Sequence, residues 1–144
     1  MDTPLRWGIL ATGGIARLQT ADLQTAGLTV SAVGSRSQES ASAFAREFGI
    51  PQAYGSYREL CESPDVDIIY VATPHPMHME NALLALEAGK HVLVEKAFTI
   101  NAGQARAVAE ASARRGLFVM EAMWTRFLPM MERVREIIRA GGIG

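Results

Sequence analysis

The order of elements in residues 6–36 constrains the fold more than any other feature of this sequence. An apolar run at 7–10 leads into a glycine-containing turn, Ala11-Thr12-Gly13-Gly14-Ile15-Ala16. A stretch of helical character follows, and a second apolar run at 28–33 ends at Gly34-Ser35-Arg36. A strand, a glycine turn, a helix and a second strand in this order predict a βαβ unit with two parallel strands.

The glycine turn is a partial match to the G-x-G-x-x-[GA] pattern of dinucleotide-binding βαβ units. Gly13 stands where the absence of a side chain lets the backbone approach a pyrophosphate, which the first amides of the following helix would bind. Ala11 replaces the usual first glycine, and its methyl group requires a compatible φ angle. A glycine turn of purely structural importance is the alternative interpretation.

The end of the second apolar run indicates which dinucleotide would bind. Arg36 follows Gly13 by about 20 residues, the usual distance to the residue that contacts the adenosine ribose. No acidic residue occurs there before Glu39. An arginine can bind a 2′-phosphate with two hydrogen bonds, whereas a carboxylate would repel it. The pattern favours NADP over NAD, although NAD is possible. The alternative interpretation of Arg36 is a solvated loop arginine that binds no cofactor.

The rest of the chain continues the alternation of apolar runs and helical stretches, which predicts a parallel sheet covered on both faces. Further strands are expected at about 66–72, 91–94 and 117–120, and further helices at about 38–48, after Ser56, at 76–88, after Asn101 and at 127–139. The predicted fold class is α/β, a doubly wound Rossmann sheet of about six strands in the order 3-2-1-4-5-6. Ligands of such sheets bind at the carboxyl ends of the strands.

Glu95 and Lys96 follow one of these strands immediately. A lysine at the carboxyl end of a strand can transfer a proton when burial or a neighbouring carboxylate adjusts its pKa. On spacing alone, a surface ion pair after a turn is the alternative interpretation and the more common one.

Two further groups of residues lie at strand exits. His75 and His78 frame a proline-rich turn, but no cysteine or acid lies at ligand spacing nearby, so no metal site is predicted. His78 is expected to contact a cofactor or a substrate instead. Trp124 and Arg126, at the last strand exit, form either a helix-entry cluster or a wall beside the reacting ring.

Composition excludes several classes of protein. The formal net charge of −1 leaves no basic surface for nucleic acid, and no apolar run approaches the ~20 residues of a membrane span. The amino terminus lacks the cationic and apolar regions of a secretion signal, so a cytoplasmic location is expected. The single cysteine, Cys61, cannot form an internal disulfide.

Together these motifs resemble the Gfo/Idh/MocA family of oxidoreductases along essentially all 144 residues. The last of four matching blocks is most similar to the branch that contains dimeric dihydrodiol dehydrogenases and NADP-dependent sugar dehydrogenases of the xylose type. The four blocks are GILATGGIA at 8–16, VATPHPMH at 71–78, AGKHVLVEK at 88–96 and MEAMWTRF at 120–127.

The resemblance implies a role for each candidate residue. Gly13, Gly14 and Ile15 would bind the pyrophosphate, and Ser35 and Arg36 the adenosine end. The cofactor groove would be lined by Ala72, Thr73, Pro74 and His78, and the nicotinamide end by Glu95 and by the catalytic Lys96. Trp124 and Arg126 would face the nicotinamide and the substrate, a sugar or a cyclic diol.

The sequence departs from the family pattern in two respects. Ala97 replaces the proline of the Glu-Lys-Pro motif, and if the motif requires a cis bond there, Lys96 would be misplaced. Family members also carry a second α/β domain, which supplies much of the substrate pocket and usually the oligomer interface. We therefore predict a Rossmann domain at 1–126 and a connecting helix at 127–144. The chain is expected to bind the cofactor without turnover, and it could form homo-oligomers. The alternative function is a non-catalytic dinucleotide-binding sensor or scaffold.

Overall fold

The computed structural model describes residues 4–143, which form one six-stranded parallel sheet. The strand order is β3-β2-β1-β4-β5-β6, and every neighbouring pair is parallel. Both the fold class and the order predicted from the sequence are confirmed. The strands are β1 (Arg6–Leu10), β2 (Thr29–Gly34), β3 (Gln52–Tyr54), β4 (Ile68–Val71), β5 (His91–Val94) and β6 (Val119–Glu121).

Six α-helices connect or follow the strands. They are α1 (Gly14–Thr25), α2 (Gln38–Phe48), α3 (Tyr57–Glu62), α4 (His78–Glu87), α5 (Ala102–Arg115) and α6 (Pro129–Arg139). Side chains cap three of these helices: Ser37 accepts from the Ser40 amide at α2, Ser56 from Glu59 at α3, and Asn101 from Gln104 at α5. Those caps fix helix starts that the sequence predicts well.

Prolines account for two differences from the predicted helices. The helix expected at 76–88 begins as a 3₁₀ turn, His75–Met77, and becomes α-helical only at His78. The helix expected from 127 is preceded by a second 3₁₀ turn, Trp124–Phe127. Leu128 is extended, with φ −68° and ψ 136°, because the residue before a proline disfavours the helical conformation.

The strands differ from the prediction at the edges of the sheet. The sequence analysis did not locate β3, whose three residues are half-buried and form no apolar run. β6 begins two residues later than predicted because Leu117, just after α5, forms hydrogen bonds with the last turn of that helix. Its N–H donates to the Ser112 carbonyl, and its own carbonyl accepts from the Ser112 hydroxyl.

Alternating residues of the strands build one apolar layer on each face of the sheet. The layer under α3, α4 and α5 contains Leu10, Leu60, Ile69, Val71, Leu86, Val92, Val94 and Val108. The layer under α1 and α2 contains Ile9, Ala16, Leu23, Val33, Phe44, Tyr70 and Leu93. Cys61 is buried in the first layer, where burial raises the pKa of its thiol to about 12 and keeps it protonated.

The face that carries α1 is only partly covered. Beyond α1, Met120 and Ala122 are half-buried, whereas Trp124 and Phe127 are 62% and 58% exposed. None of the α6 side chains is buried. Within residues 4–143, no helix has the length and apolar character needed to cross a membrane.

Close packing at the end of β2 fixes the position of the residues that follow it. A Cβ atom added to Gly34 would lie 2.8 Å from the Cβ of Leu60, which is fully buried. We expect Gly34→Ala to lower the free energy of unfolding by about 1–3 kcal/mol, because the added methyl forces α3 away from the sheet. Urea denaturation followed by circular dichroism measures this loss. An unchanged midpoint for Gly34→Ala would contradict the packing argument.

Candidate functional site

The candidate site lies where the strand order changes direction. β1 pairs with β2 on one side and with β4 on the other, so the chain segments leaving the carboxyl ends of β1 and β4 diverge. A crevice at this point is the usual ligand site of open parallel sheets. Its walls here are residues 11–16, which lead into α1, and residues 72–77, which lead into α4.

The first turn of α1 presents backbone amides to this crevice. Gly13 is the residue before the helix, with φ −73° and ψ −179°, and no side chain caps α1. Cβ atoms added to Gly13 or Gly14 would find no atom within 4 Å. Because α1 also has no acidic residue in its first turn, its amides and its positive dipole end are open to an anion.

Ala11 adopts the backbone conformation that its position in the motif requires. Its φ is +93°, in the region that favours glycine, at a cost of about 1–2 kcal/mol for alanine. Its N–H donates to the Gly34 carbonyl at 2.9 Å, which joins the turn to the end of β2. The turn therefore keeps its shape without the first glycine.

One cavity of about 500 Å³ brings together most of the residues expected at the cofactor. We call it the switch cavity. It is lined by the expected Gly13, Gly14, Ile15, Ser35, Arg36, Ala72, Thr73 and Pro74, together with Ala11, Thr12, Tyr57 and Met77. Tyr57 and Met77 were not expected from the sequence, although the Ser56 cap placed a helix start beside Tyr57.

Arg36 and Tyr57 stand together at the β2 end of the switch cavity. Arg36 is exposed, and within the described part of the chain no carboxylate lies within 4 Å of its guanidinium. Burial raises the pKa of Tyr57, and the positive charge of Arg36 partly offsets that rise. Ser35 beside it is buried, and its N–H donates to the Tyr54 carbonyl at 3.0 Å. The guanidinium of Arg36 is thus available to a ligand.

A second cavity continues the crevice toward β5, and we call it the lysine cavity. It shares Ile15, Thr73 and Pro74 with the switch cavity. Its other lining residues are His75, Pro76, His78, Glu95 and Lys96. Lys96 is exposed at this cavity.

Two histidines hold the turn that carries Lys96. The ring of His78 is fully buried, with Nδ1 2.9 Å from the Ala97 carbonyl oxygen and Nε2 2.8 Å from that of Thr73. His75 Nε2 contacts the Lys96 carbonyl oxygen at 2.8 Å and the Ala97 N–H at 3.1 Å. The Lys96–Ala97 peptide bond is cis. Sequence analysis assigned His78 to cofactor or substrate; in the structure its ring nitrogens are engaged by the backbone.

Glu95 is a buried carboxylate directly beneath Lys96. Its side chain is 7% exposed; Oε1 accepts from the Tyr70 hydroxyl at 2.7 Å and Oε2 from the Lys96 N–H at 2.9 Å. Burial, this hydrogen bond and the negative charge of Glu95 together raise the pKa of Tyr70 well above its usual range. Tyr70 was not singled out from the sequence, but a tyrosine in a doubly buried strand signals a buried hydroxyl that needs a partner.

A third cavity adjoins the lysine cavity on the side of α1, and we call it the apolar cavity. Ile15 and Glu95 line both cavities, and Trp124 and Phe127 form the outer rim of this one. The expected Trp124 is therefore placed near Glu95. The other expected residue of that pair, Arg126, is exposed and lines none of the three cavities, and its carbonyl accepts from Arg135.

No three metal-ligating side chains come together anywhere in residues 4–143. Both histidines of the proline-rich turn contact backbone atoms instead. Another buried polar contact supports the same wall, since the Asn81 amide donates to the Thr73 hydroxyl at 3.2 Å. These polar contacts shape the crevice, whereas the side chains of Arg36 and Lys96 are exposed beside it.

Comparison with known proteins identifies the family. The profile of the oxidoreductase family with an NAD-binding Rossmann fold, Gfo/Idh/MocA, matches residues 5–123. The chain belongs to this family. The match includes the glycine turn, the proline-rich turn, Glu95 and Lys96, as the sequence motifs predicted.

Two curated Gfo/Idh/MocA relatives show the branch to which the sequence is similar. D-xylose 1-dehydrogenase (NADP(+)) of Hypocrea jecorina is 45% identical over 97% of this chain and 39% of its own length. Trans-1,2-dihydrobenzene-1,2-diol dehydrogenase of Mus musculus is 45% identical over 97% of this chain and 43% of its own. The chain thus spans less than half the length of these relatives.

Solved structures of the family have the same fold. A 3-ketoreductase from Actinomadura kijaniata, in complex with TDP-benzene and NADP, superposes with a TM-score of 0.89 at 34% identity, covering 99% of this chain and 45% of that one. An NAD binding oxidoreductase from Klebsiella pneumoniae gives a TM-score of 0.91 at 29% identity, covering 99% and 40%.

Proposed function

We propose that this domain binds NADP along the three connected cavities and forms the cofactor-binding part of a dehydrogenase for a sugar or cyclic diol. The observation that carries the proposal is the first turn of α1. Its amides are uncapped, and they open without a side chain at Gly13 onto the crevice at the strand-order switch. A dinucleotide needs such a position for its pyrophosphate.

The residues around the crevice fit the other parts of NADP. Arg36, exposed and without a carboxylate partner among the described residues, would bind the 2′-phosphate of the adenosine ribose. Ser35 beside it would bind the ribose. The relatives support this choice, because the xylose dehydrogenase is named for NADP and the 3-ketoreductase was solved with NADP.

The nicotinamide end would lie past Ile15, beside Glu95 and Lys96. The nicotinamide, when bound, supplies the carbon that accepts or gives a hydride. Lys96 would hold or move the proton of the substrate hydroxyl. Its side chain is exposed in the lysine cavity, and His75, whose ring contacts the Lys96 carbonyl and the Ala97 N–H, fixes its backbone. The names of the relatives point to sugars and diols as the class of substrate.

We further propose that these 144 residues bind the cofactor without turnover. Trp124 and Phe127 are mostly exposed, and no described element covers the open side of the apolar cavity. A site without that wall does not exclude water from the reacting carbon or orient a substrate. Trp124 would form part of the wall and Arg126 would reach the substrate from it; the helix at 127–144 would connect to a substrate domain.

The central role of Gly13 can be tested without disturbing the fold. We expect Gly13→Ala to lower the affinity for NADP at least about tenfold, because the methyl group occupies the space that the pyrophosphate needs. The backbone angles at Gly13 are accessible to alanine and no atom lies within 4 Å of the new Cβ, so the urea midpoint should fall only by the small amount expected when alanine replaces glycine before a helix. Fluorescence titration with NADPH measures the affinity.

The matched control is Gly103→Ala, which adds the same methyl group to the first turn of α5. This control should bind NADPH like the wild type. If Gly13→Ala binds NADPH with wild-type affinity, the pyrophosphate does not lie against α1.

The role of Arg36 predicts a preference between the two dinucleotides. We expect the wild type to bind NADP more tightly than NAD, and Arg36→Ala to weaken NADP binding by about tenfold to hundredfold while NAD binding stays nearly constant. Isothermal titration calorimetry with both ligands measures the difference. Arg58→Ala, which removes an exposed arginine from nearby α3, serves as the control. Equal affinities of the wild type for NADP and NAD would overturn the assignment.

The role of Lys96 requires an active enzyme that contains this domain. We expect Lys96→Met to lower kcat by about 100-fold or more and to leave NADP affinity intact, because a proton-transfer group is lost. Lys96→Arg should restore little activity, since arginine keeps the charge but does not release a proton. Steady-state kinetics with a sugar or a diol as substrate measure kcat for the two variants. Turnover that survives Lys96→Met unchanged, with intact NADP affinity, would remove the proton-transfer role of Lys96.

A further inference from the structure

We propose that the buried carboxylate of Glu95 makes this site bind the oxidised, positively charged nicotinamide more tightly than the reduced, neutral one. The inference rests on the proposed function, because it assumes that the dinucleotide lies along the crevice. It concerns the redox state that the domain selects, which is a separate question from whether it binds NADP.

Glu95 occupies the point where the nicotinamide would lie. It lines both the lysine cavity and the apolar cavity, and Ile15 is the other residue that these two cavities share. A dinucleotide whose pyrophosphate binds at Gly13 and whose adenosine extends to Arg36 must direct its other end past Ile15. That end meets Glu95 whichever of the two cavities it enters.

The surroundings of Glu95 are those of an ionised carboxylate. Both of its oxygens accept hydrogen bonds, from the Tyr70 hydroxyl and from the Lys96 N–H. Neither donor is a cation, and no ion pair within 4 Å involves Glu95 in the described part of the chain. The charge is thus held in place and left without a cationic partner.

Burial makes this charge effective over several ångströms. Glu95 is 7% exposed, so water screens its field much less than that of the two other charged residues of these cavities, Lys96 and Asp22, which are both exposed. A pyridinium ring gains a favourable interaction with this field. The dihydropyridine ring of the reduced cofactor carries no charge and gains none.

The experiment compares two dissociation constants on the 144-residue chain at pH 7. NADPH affinity is read from its fluorescence, and NADP⁺ affinity from competition against NADPH. For the wild type we expect NADP⁺ to bind about tenfold more tightly than NADPH. Glu95→Gln, which removes the charge at nearly constant shape, should bring the ratio of the two constants close to one.

Two further variants separate charge from structure. Glu95→Asp keeps the charge but shortens the side chain, so it should retain most of the preference even if overall affinity falls. Glu87→Gln removes an exposed carboxylate from the carboxyl end of α4, and its ratio should equal that of the wild type. This pattern in all four proteins supports the proposal.

The outcomes that overturn the inference are distinct from those that overturn the proposed function. Equal binding of NADP⁺ and NADPH by the wild type, or an unchanged ratio in Glu95→Gln, refutes the role of Glu95 and leaves cofactor binding established. Loss of the preference in Glu95→Asp as well as in Glu95→Gln refutes a charge effect. Failure of the wild type to bind either form refutes the proposed function, and the role of Glu95 with it.

Discussion

The reversal of strand order at β1 is the constraint on which the whole arrangement depends. Because β2 and β4 flank β1, the segments that leave the carboxyl ends of β1 and β4 separate and open a crevice. The glycine turn and α1 form one wall of it, and the proline-rich turn forms the other. Packing of Leu60 against Gly34 holds α3 against the end of β2, and Arg36, two residues further on, lies at one end of the same opening.

Charge is distributed along this crevice in the order that a dinucleotide requires. Positive potential comes from Arg36 at one end and from the uncapped amides of α1 in the middle, where the phosphates would lie. The carboxylate of Glu95 is buried at the opposite end, where we propose that the pyridinium of the cofactor lies. The helices α2, α3 and α5 have their first amides capped by their own side chains, and α1 does not. The starts of α4 and α6 are likewise without a side-chain cap, and among these uncapped starts that of α1 has no side chain at Gly13 beside the crevice.

The sequence predicted the fold and the backbone part of the site far better than the side-chain contacts. Strand order, the start of α1 and the caps at Ser37, Ser56 and Asn101 follow from local patterns, and all are confirmed. The third strand was not predicted because it has only three residues, which are half-buried and form no apolar run; its pairing with β2 is what defines it. The hydrogen bond between Tyr70 and Glu95, and the histidines that hold the Lys96 turn, join residues about 20 or more positions apart. No local period encodes such pairs.

The central claim is that a dinucleotide lies across the strand-order switch with its pyrophosphate on the first turn of α1. An NMR titration of the ¹⁵N-labelled chain with NADP⁺ tests it most directly, because each backbone amide reports separately. We predict that the largest shifts occur at Gly13, Gly14 and Ile15, with further shifts at Arg36 and Lys96. Shifts confined to the amino ends of the strands, around Arg6 and Lys90, or no shifts at all, would contradict the account.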